Sequence, residues 1–524
     1  TTLKNLITIL LASIMISCVN IKNETLDKHP LDKSEVRKLI LDNGIKIYLL
    51  SDPNFNISAA SMAVEVGSLE NPGDREGLAH FLEHMLFLGT EKYPDVDEYS
   101  TYLRTFGGFS NAYTAPDHTN YMLQVLPDGF EGALDRFAQF FISPLFTEEY
   151  TSREVNAVNS EHQKNIMNDY RRQYRLKSLF TKKGHPERKF STGSLETLGD
   201  IDRTELIDFY NQHYSANRMA LALLSTHSLD EMEAWARQYF SEIKNHNLDR
   251  SQHDPDVFEK KETFRLVQID PVKDLRDLEI SFALPGLRGM YESKPGRQLG
   301  FILGHEGKGS LLSYLKDKGW AMSLSGGAGS VTKEYGWANI RIGLTPKGQN
   351  EYKDIVKATL DYIALMKEKG HQSHVFNELK TMAELEEIYA NKGEGMGRAI
   401  GLANEAMMYP LEDAGRINFI YRDNSADDFN SILTQLTPDN MLVALVAKGV
   451  ETDQIEHHYQ APYTYTEDDD FYQELTQPQP RSEFLIAEAN PFIPQSASVP
   501  NREMKENVLP RALVKSGGAN LYFG

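Results

Sequence analysis

Cysteine is almost absent from this chain, which has one, Cys18, among 524 residues. A single thiol excludes both a disulfide within the chain and a zinc site built from cysteines. An excess of positive charge is also missing, since 55 lysines and arginines face 75 aspartates and glutamates, for a formal net charge of −20. Because nucleic-acid binding needs a basic surface, the composition argues against a nucleic-acid partner.

Long apolar runs are also scarce, and the one at residues 6–16 is too short to span a bilayer comfortably. We interpret residues 1–18 as a signal sequence for export. Their end is similar to a bacterial lipoprotein signal, although Met15 and Ile16 depart from the usual pattern. Cys18 is therefore a candidate for lipidation, with an ordinary cleaved signal peptide as the alternative. The expectation is an exported, periplasmic protein, with a lipid anchor to a bacterial membrane if Cys18 is modified.

The chain is long enough for two or three domains, and the order of its predicted elements recurs at roughly domain length. Strands mix with helices in both halves, which predicts an α+β fold of two homologous mixed α/β domains, each a sheet packed against helices. The predicted boundaries are a catalytic domain at 30–245, a linker at 246–262, a second domain at 263–465, a linker at 466–510 and the start of a third domain at 511–524.

Three predicted elements surround the polar residues of interest. Residues 36–50 predict two strands about a turn, and residues 109–127 predict a β-hairpin. A long polar helix is predicted from Thr147 to about Lys177.

The stretch GLAHFLEHMLFLG, residues 77–89, places three polar side chains in an apolar run. On a helix, His80 and His84 lie on one face and can bind one metal ion, for which neutral imidazole is a natural ligand. Glu83 borders the same face and can take a proton from a water molecule without binding the metal itself. His-x-x-Glu-His is the inverted form of the zinc-protease signature. The alternative is a core helix with hydrogen-bonded histidines.

Two histidines leave a zinc site short of its usual third protein ligand. Glu154 and Glu161 are seven residues apart in the predicted polar helix and share one face. One of them could bind the metal while the other supports a histidine ligand. Spacing alone does not choose between this pair and Glu148 or Glu149. His162, next to Glu161, is expected to be solvated.

Several stretches together resemble the family of insulin-degrading enzyme and pitrilysin, the inverted-zincin metalloproteases. They are GLAHFLEHMLFLGTEKYP, SNAYT, HTNY, EGALDRFAQFF and REVNAVNSEHQKN. The family spacing implies that Glu161 is the third ligand beside His80 and His84 of one Zn²⁺ per chain, and that Glu154 is the supporting acid. The resemblance also implies that Glu83 is the general base.

The resemblance further implies how substrate would bind. In the family a peptide adds as a strand beside a sheet edge near the metal, which corresponds to Asn111 and Ala112 here. The region of 304–326 resembles the family exosite that holds a substrate's N-terminal end. Its candidate residues are Gly304, His305, Leu324 and Gly326.

The resemblance therefore implies a zinc metalloendopeptidase that hydrolyses peptides and small unfolded proteins. Single-chain members carry four such domains, and this chain corresponds to the N-terminal half. The expected partner is a C-terminal half of the same protein or a homologous chain. The alternatives are a partner-dependent half of a two-chain processing peptidase and a non-catalytic peptide-binding subunit.

Overall fold

The computed structural model describes residues 28–29, 31–389 and 392–494, and the backbone of 511–516 and 519–523. The predicted signal sequence at 1–18, with Cys18, lies outside the described residues. No helix in the described ranges is long and apolar enough to cross a membrane.

The described strands fall into three sheets. They are β1 Glu35–Ile40, β2 Lys46–Ser51, β3 Ser58–Val64, β4 Phe109–Thr114, β5 Thr119–Val125, β6 Met219–Ser225, β7 Phe264–Ile269, β8 Arg276–Pro285, β9 Ala321–Ser330, β10 Tyr335–Leu344, β11 Met441–Ala447, β12 Gln454–Ile455, β13 Pro462–Asp468, β14 Arg511–Ser516 and β15 Ala519–Phe523.

Helices pack on both larger sheets. They are α1 Leu78–Met85, α2 Glu98–Thr105, α3 Phe130–Gln139, α4 Glu148–Asn165, α5 Asp169–Leu179, α6 Leu195–Leu198, α7 Arg203–His213, α8 Leu229–Phe240, α9 Pro295–Leu303, α10 Leu311–Asp317, α11 Pro346–Asn350, α12 Tyr352–Lys369, α13 Ser373–Tyr389, α14 Gly395–Met408, α15 Ala426–Leu433 and α16 Asp469–Leu475.

The first sheet has six strands in the order β1-β2-β6-β3-β5-β4, so β4 forms one edge. Strands β2 and β6 are parallel, and the other neighbours are antiparallel. The central strands β3 and β6 are buried along their whole length, which explains their continuous apolar sequences. The two predicted hairpins at 36–50 and 109–127 are confirmed as β1–β2 and β4–β5.

The second sheet has seven strands in the order β12-β13-β7-β11-β8-β10-β9, so β9 forms an edge as β4 does in the first sheet. Helices α9, α10, α12, α15 and α16 contribute residues to the core on one of its faces. The predicted α+β class, with each sheet packed against helices, is confirmed. Strands β14 and β15 pair separately as an antiparallel hairpin.

Each large sheet is covered on its other face by a helix from the opposite half of the chain. Helix α14 lays Ala399, Ala403 and Ala406 on β3 and β6 of the first sheet. Leu176 of α5 is buried in the cluster on the second sheet that includes Trp337. The halves are therefore interlocked by reciprocal helices.

The predicted long helix at 147–177 is wrong in one respect, because the structure has two helices, α4 and α5, separated at Asn168. The side chain of Asn168 accepts hydrogen bonds from the backbone N–H groups of Tyr170 and Arg171 and so caps α5. Asparagine favours this position because its short side chain satisfies amides that lack partners within the helix.

The structure also differs from the predicted linker at 466–510. Strand β13 continues to Asp468, α16 follows, and Phe471, Leu475 and Phe484 are buried in the core of the second sheet. The acidic residues of the segment suggest an exposed linker, and for this reason its apolar contact with the core was not predicted from the sequence. The predicted linker at 246–262 contains neither helix nor strand, and the remaining domain boundaries stay predictions.

The contact of α14 with the first sheet generates a stability prediction. Ala403 is fully buried there, so Ala403→Leu should lower the melting temperature, corresponding to a loss of about 1–3 kcal/mol for overpacking. Gly401, two residues earlier, is exposed, and a Cβ atom built there meets no atom within 4 Å. Gly401→Ala is the control and should be neutral or stabilising, by up to about 1 kcal/mol. Equal melting temperatures for both variants would contradict the packing described.

Candidate metal centre

Helix α1, which carries the His-x-x-Glu-His motif, begins in close contact with the backbone of another segment of the chain. Gly77 precedes the helix with φ 91° and approaches Gly193, which has φ 86°. A Cβ atom on Gly77 would lie 2.3 Å from the Cα of Gly193, so no side chain fits at this point. Asn71 accepts a hydrogen bond of 2.8 Å from the backbone N–H of Ala79 in the first turn. These contacts fix the start of α1 beside the segment 190–196.

Three side-chain donor atoms converge where α1 packs on α4. The Nε2 atoms of His80 and His84 each lie 3.6 Å from Oε2 of Glu161. The two imidazole rings are nearly perpendicular, at 86°. Bond lengths of ~2.0–2.2 Å about a tetrahedral zinc ion require its ligands to be about 3.3 Å apart. The observed spacing is close to that requirement.

The other ring nitrogens are held from outside the cluster. His80 donates from Nδ1 to the backbone carbonyl oxygen of Thr192 at 2.7 Å. His84 donates from Nδ1 to Oε1 of Glu154 at 2.8 Å. Because Nδ1 is hydrogen-bonded, Nε2, which faces Glu161, is the ring atom of each histidine that can bind a metal once it carries no proton.

Glu83 lies beside the two histidines, and its side chain is buried. The hydroxyl of Thr114, at the end of β4, donates to its Oε2 at 2.6 Å. The ligand atoms of His80, Glu83 and His84 lie within 4.8 Å of one another. Thr114 therefore orients the carboxylate without neutralising it.

Burial and the charges of the cluster shift the pKa values of His84, Glu161 and Glu83. Burial acts to lower the pKa of His84, but Glu154, Glu161 and Glu83 together raise it to about 10. Interaction with His84 and His80 lowers the pKa of Glu161 to about 2. Burial raises the pKa of Glu83, an effect that His80 and Thr114 oppose. With two imidazoles and one ionised carboxylate as donors, the cluster fits zinc.

A cavity of 590 Å³ opens over this cluster. Asn111 and Ala112 line it from the edge strand β4, as the predicted substrate position requires, and Arg171 and Ser191 line another side. No described strand pairs with the outer side of β4. An extended peptide could therefore add there within reach of the metal centre.

The remaining predicted residues lie elsewhere. Glu148 and Glu149 are exposed in the first turn of α4 and do not line the cavity, whereas Glu154 and Glu161 do. None of the four candidates from the second half lines it either. Leu324 and Gly326 lie in the edge strand β9, and Gly304 and His305 directly follow helix α9, which packs on β9. Their role in substrate binding stays a prediction.

The expectation that His162 is solvated is wrong. Its ring packs between those of Phe190 and Tyr459 at centroid distances of 5.0 and 5.1 Å, and the residue is buried. The apolar residues that cover it come from distant parts of the chain, and local sequence does not reveal them.

Sequence reasoning also misses Thr192 and Thr114. Thr192 acts through its backbone carbonyl, which carries no residue-type signal. The neighbouring Gly193 marks a position where the chain approaches α1 closely, and this is the only local hint in the segment.

Comparison with known proteins agrees with this arrangement. Models of three parts of one family match the chain: "Insulinase (Peptidase family M16)" at residues 46–183, "Peptidase M16 inactive domain" at 200–382, and "Middle or third domain of peptidase_M16" at 388–524.

Full-length relatives match over most of the chain. Insulin-degrading enzyme of Homo sapiens is 37% identical over 506 residues, covering 95% of this chain and 50% of the relative. The A-factor-processing enzyme of Saccharomyces cerevisiae is 38% identical over 455 residues, covering 85% and 44%. The chain spans about half the length of these relatives.

A solved structure of pitrilysin superposes with a TM-score of 0.88 at 28% identity, covering 96% of this chain and 54% of pitrilysin. The two sheets and the helix-borne His-x-x-Glu-His motif thus define a chain of the insulinase-like α+β class. The chain belongs to the insulinase family of peptidases, family M16.

The glycine contact beneath α1 generates a prediction for metal binding. Gly77→Ala should displace the segment that carries Thr192, loosen His80, and weaken zinc binding by about 10–100-fold, the usual cost of losing a contact that orients a ligand. Gly184→Ala is the matched control, because Gly184 has a similar φ of 89° but no atom within 4 Å of a built Cβ. Zinc affinity is measured by competition with a chelator, and equal affinities in the two variants would refute the constraint.

The raised pKa of His84 predicts proton release when zinc binds. In the metal-free chain His84 stays protonated below its pKa of about 10, and it must lose that proton to bind a metal. Titration calorimetry in buffers of different ionisation enthalpy should give about one proton released per zinc at neutral pH.

Glu154→Gln removes one of the charges that raise this pKa, so the variant should release fewer protons. Affinity for zinc in the native chain should fall as the pH falls from 10, because protons then compete for His84. A native chain that releases no proton would contradict the assignment.

Proposed function

We propose that this chain carries the catalytic half of a zinc metalloendopeptidase that hydrolyses peptides and small unfolded proteins. The observation that carries the proposal is the convergence of His80, His84 and Glu161 beside the buried Glu83. The family membership supports the same reaction class.

The chemistry divides between the metal and the residues around it. When bound by the two histidines and Glu161, zinc would lower the pKa of a water ligand and polarise the substrate carbonyl. Glu83 then accepts the proton of the attacking water and passes it to the leaving amine. Its burial favours this exchange, because a raised pKa brings the carboxylate closer to neutral pH. Glu154 holds His84 in place throughout.

Peptide binding is proposed to use the edge of the first sheet. Backbone pairing with β4 at Asn111 and Ala112 would give affinity with little sequence preference. The Gly304, His305, Leu324 and Gly326 region at β9 is proposed to hold a substrate's N-terminal end. These assignments rest on the family resemblance and on the edge positions of the two strands.

We further propose that a second half, from the same protein or a homologous chain, completes the substrate chamber. The support is that curated relatives are about twice the length of this chain. Export to the periplasm is proposed from the sequence alone, with Cys18 as the candidate site of lipidation and an ordinary cleaved signal peptide as the alternative.

The general-base role is tested by Glu83→Gln. The amide keeps the shape of the side chain but cannot accept the proton, so kcat should fall by about 10²–10⁴-fold while bound zinc stays unchanged. The assay measures cleavage of an unstructured peptide alongside elemental analysis, with Glu148→Gln, an exposed residue of α4, as the control. Near-native turnover in Glu83→Gln would refute the role.

A further inference from the structure

A second group of metal-ligand residues lies where the two halves of the chain meet. Glu196 is in α6 of the first half, and His457 and His458 are in the loop between β12 and β13 of the second half. One ligand atom from each of the three lies within 4.8 Å of the others. This group lies outside the candidate metal centre, and the proposed peptidase chemistry uses none of its three residues.

The contacts within the group bring nitrogen and oxygen donors together. His457 Nε2 lies 2.8 Å from Oε2 of Glu196, and His458 Nε2 lies 3.8 Å from Oε2 of Glu76. Two imidazoles with one or two carboxylates form a donor set that suits zinc and other divalent transition metals and is poor for Mg²⁺ or Ca²⁺.

One ligand is held in place and the others face solvent. The ring of His458 stacks on Phe190 at a centroid distance of 4.0 Å and an angle of 8°, with its side chain 11% exposed. The side chains of His457 and Glu196 are 66% and 65% exposed, so an ion can enter directly. Burial, together with the nearby Arg175, lowers the pKa of His458.

Arg175 lies near the proposed site, but its positive charge is neutralised by an ion pair. Its Nε lies 3.0 Å from Oε1 of Glu456, and both side chains are buried. This pair balances its own charge. The carboxylates of Glu196 and Glu76 then leave the ligand group with net negative charge.

We propose that Glu196, His457 and His458, assisted by Glu76, form a second binding site for a divalent transition-metal ion. The ion would join the segment 190–196 of the first half to the loop of the second half.

The position of this second site suggests what it does. Thr192 lies between the two centres, because its hydroxyl is 3.1 Å from that of Tyr459 while its carbonyl oxygen accepts from His80. Metal at the second site would hold the loop 456–459 against this segment. Occupancy should therefore stabilise the contact between the halves and the orientation of His80.

The test counts zinc ions with the whole chain. After equilibrium dialysis against micromolar free zinc, elemental analysis should find two equivalents in the native chain and one in the His80→Ala, His84→Ala double variant. His457→Ala and Glu196→Gln, both at exposed positions, should each lose the second equivalent and keep the first. His246→Ala is the control, because His246 is exposed and outside both groups, and should retain two.

A second readout is thermal unfolding. Zinc should raise the melting temperature of the His80→Ala, His84→Ala variant, and adding His457→Ala should abolish the rise, because an ion that binds only the folded state stabilises it. Mg²⁺ should give no rise. A single equivalent in the native chain together with none in the double variant, or retention of the second equivalent by either His457→Ala or Glu196→Gln, would overturn the proposal.

Discussion

The backbones of α1 and of the segment 190–196 meet at Gly77 and Gly193, where a Cβ atom on Gly77 would lie 2.3 Å from the Cα of Gly193. This approach brings the carbonyl oxygen of Thr192 to the Nδ1 atom of His80. A histidine on a free helix surface can adopt several rotamers, and only one of them directs Nε2 towards Glu161. The metal centre thus depends on a contact between two loops and a helix start as much as on its own ligands.

The cluster also concentrates charge in a partly buried volume. Glu83, Glu154 and Glu161 surround two imidazoles, and the shifted pKa values of Glu83, His84 and Glu161 reflect the interactions among these groups. Without a metal, a protonated His84 balances the carboxylates. A bound cation would balance the carboxylates in place of the protonated His84, which would release its proton. The carboxylates that hold a proton on His84 are therefore the same groups that attract a metal ion.

Much of the fold and of the candidate site could be predicted from local sequence. His80, Glu83 and His84 could be placed on one helix from their spacing, and the hairpin of β4 and β5 from its turn residues. Glu161 could not be chosen over Glu148 by spacing alone, because both lie on the same polar helix, and only the family interval selects it.

Contacts between distant segments could not be predicted, for a physical reason. The burial of His162 depends on a loop about 300 residues later in the chain, and local periodicity carries no information about such a partner.

The exchange of helices between the two sheets has a consequence for biosynthesis. The last strand of the first sheet ends at Ser225, but α14, which covers one face of that sheet, ends at Met408. At ~5–20 residues per second the ribosome needs about 10–40 s to make the intervening chain. During that time a nascent sheet that has formed shows an alanine- and leucine-rich face to its surroundings. Such a face is a natural binding surface for a chaperone, so the order of synthesis exposes the first half to capture before the second half can protect it.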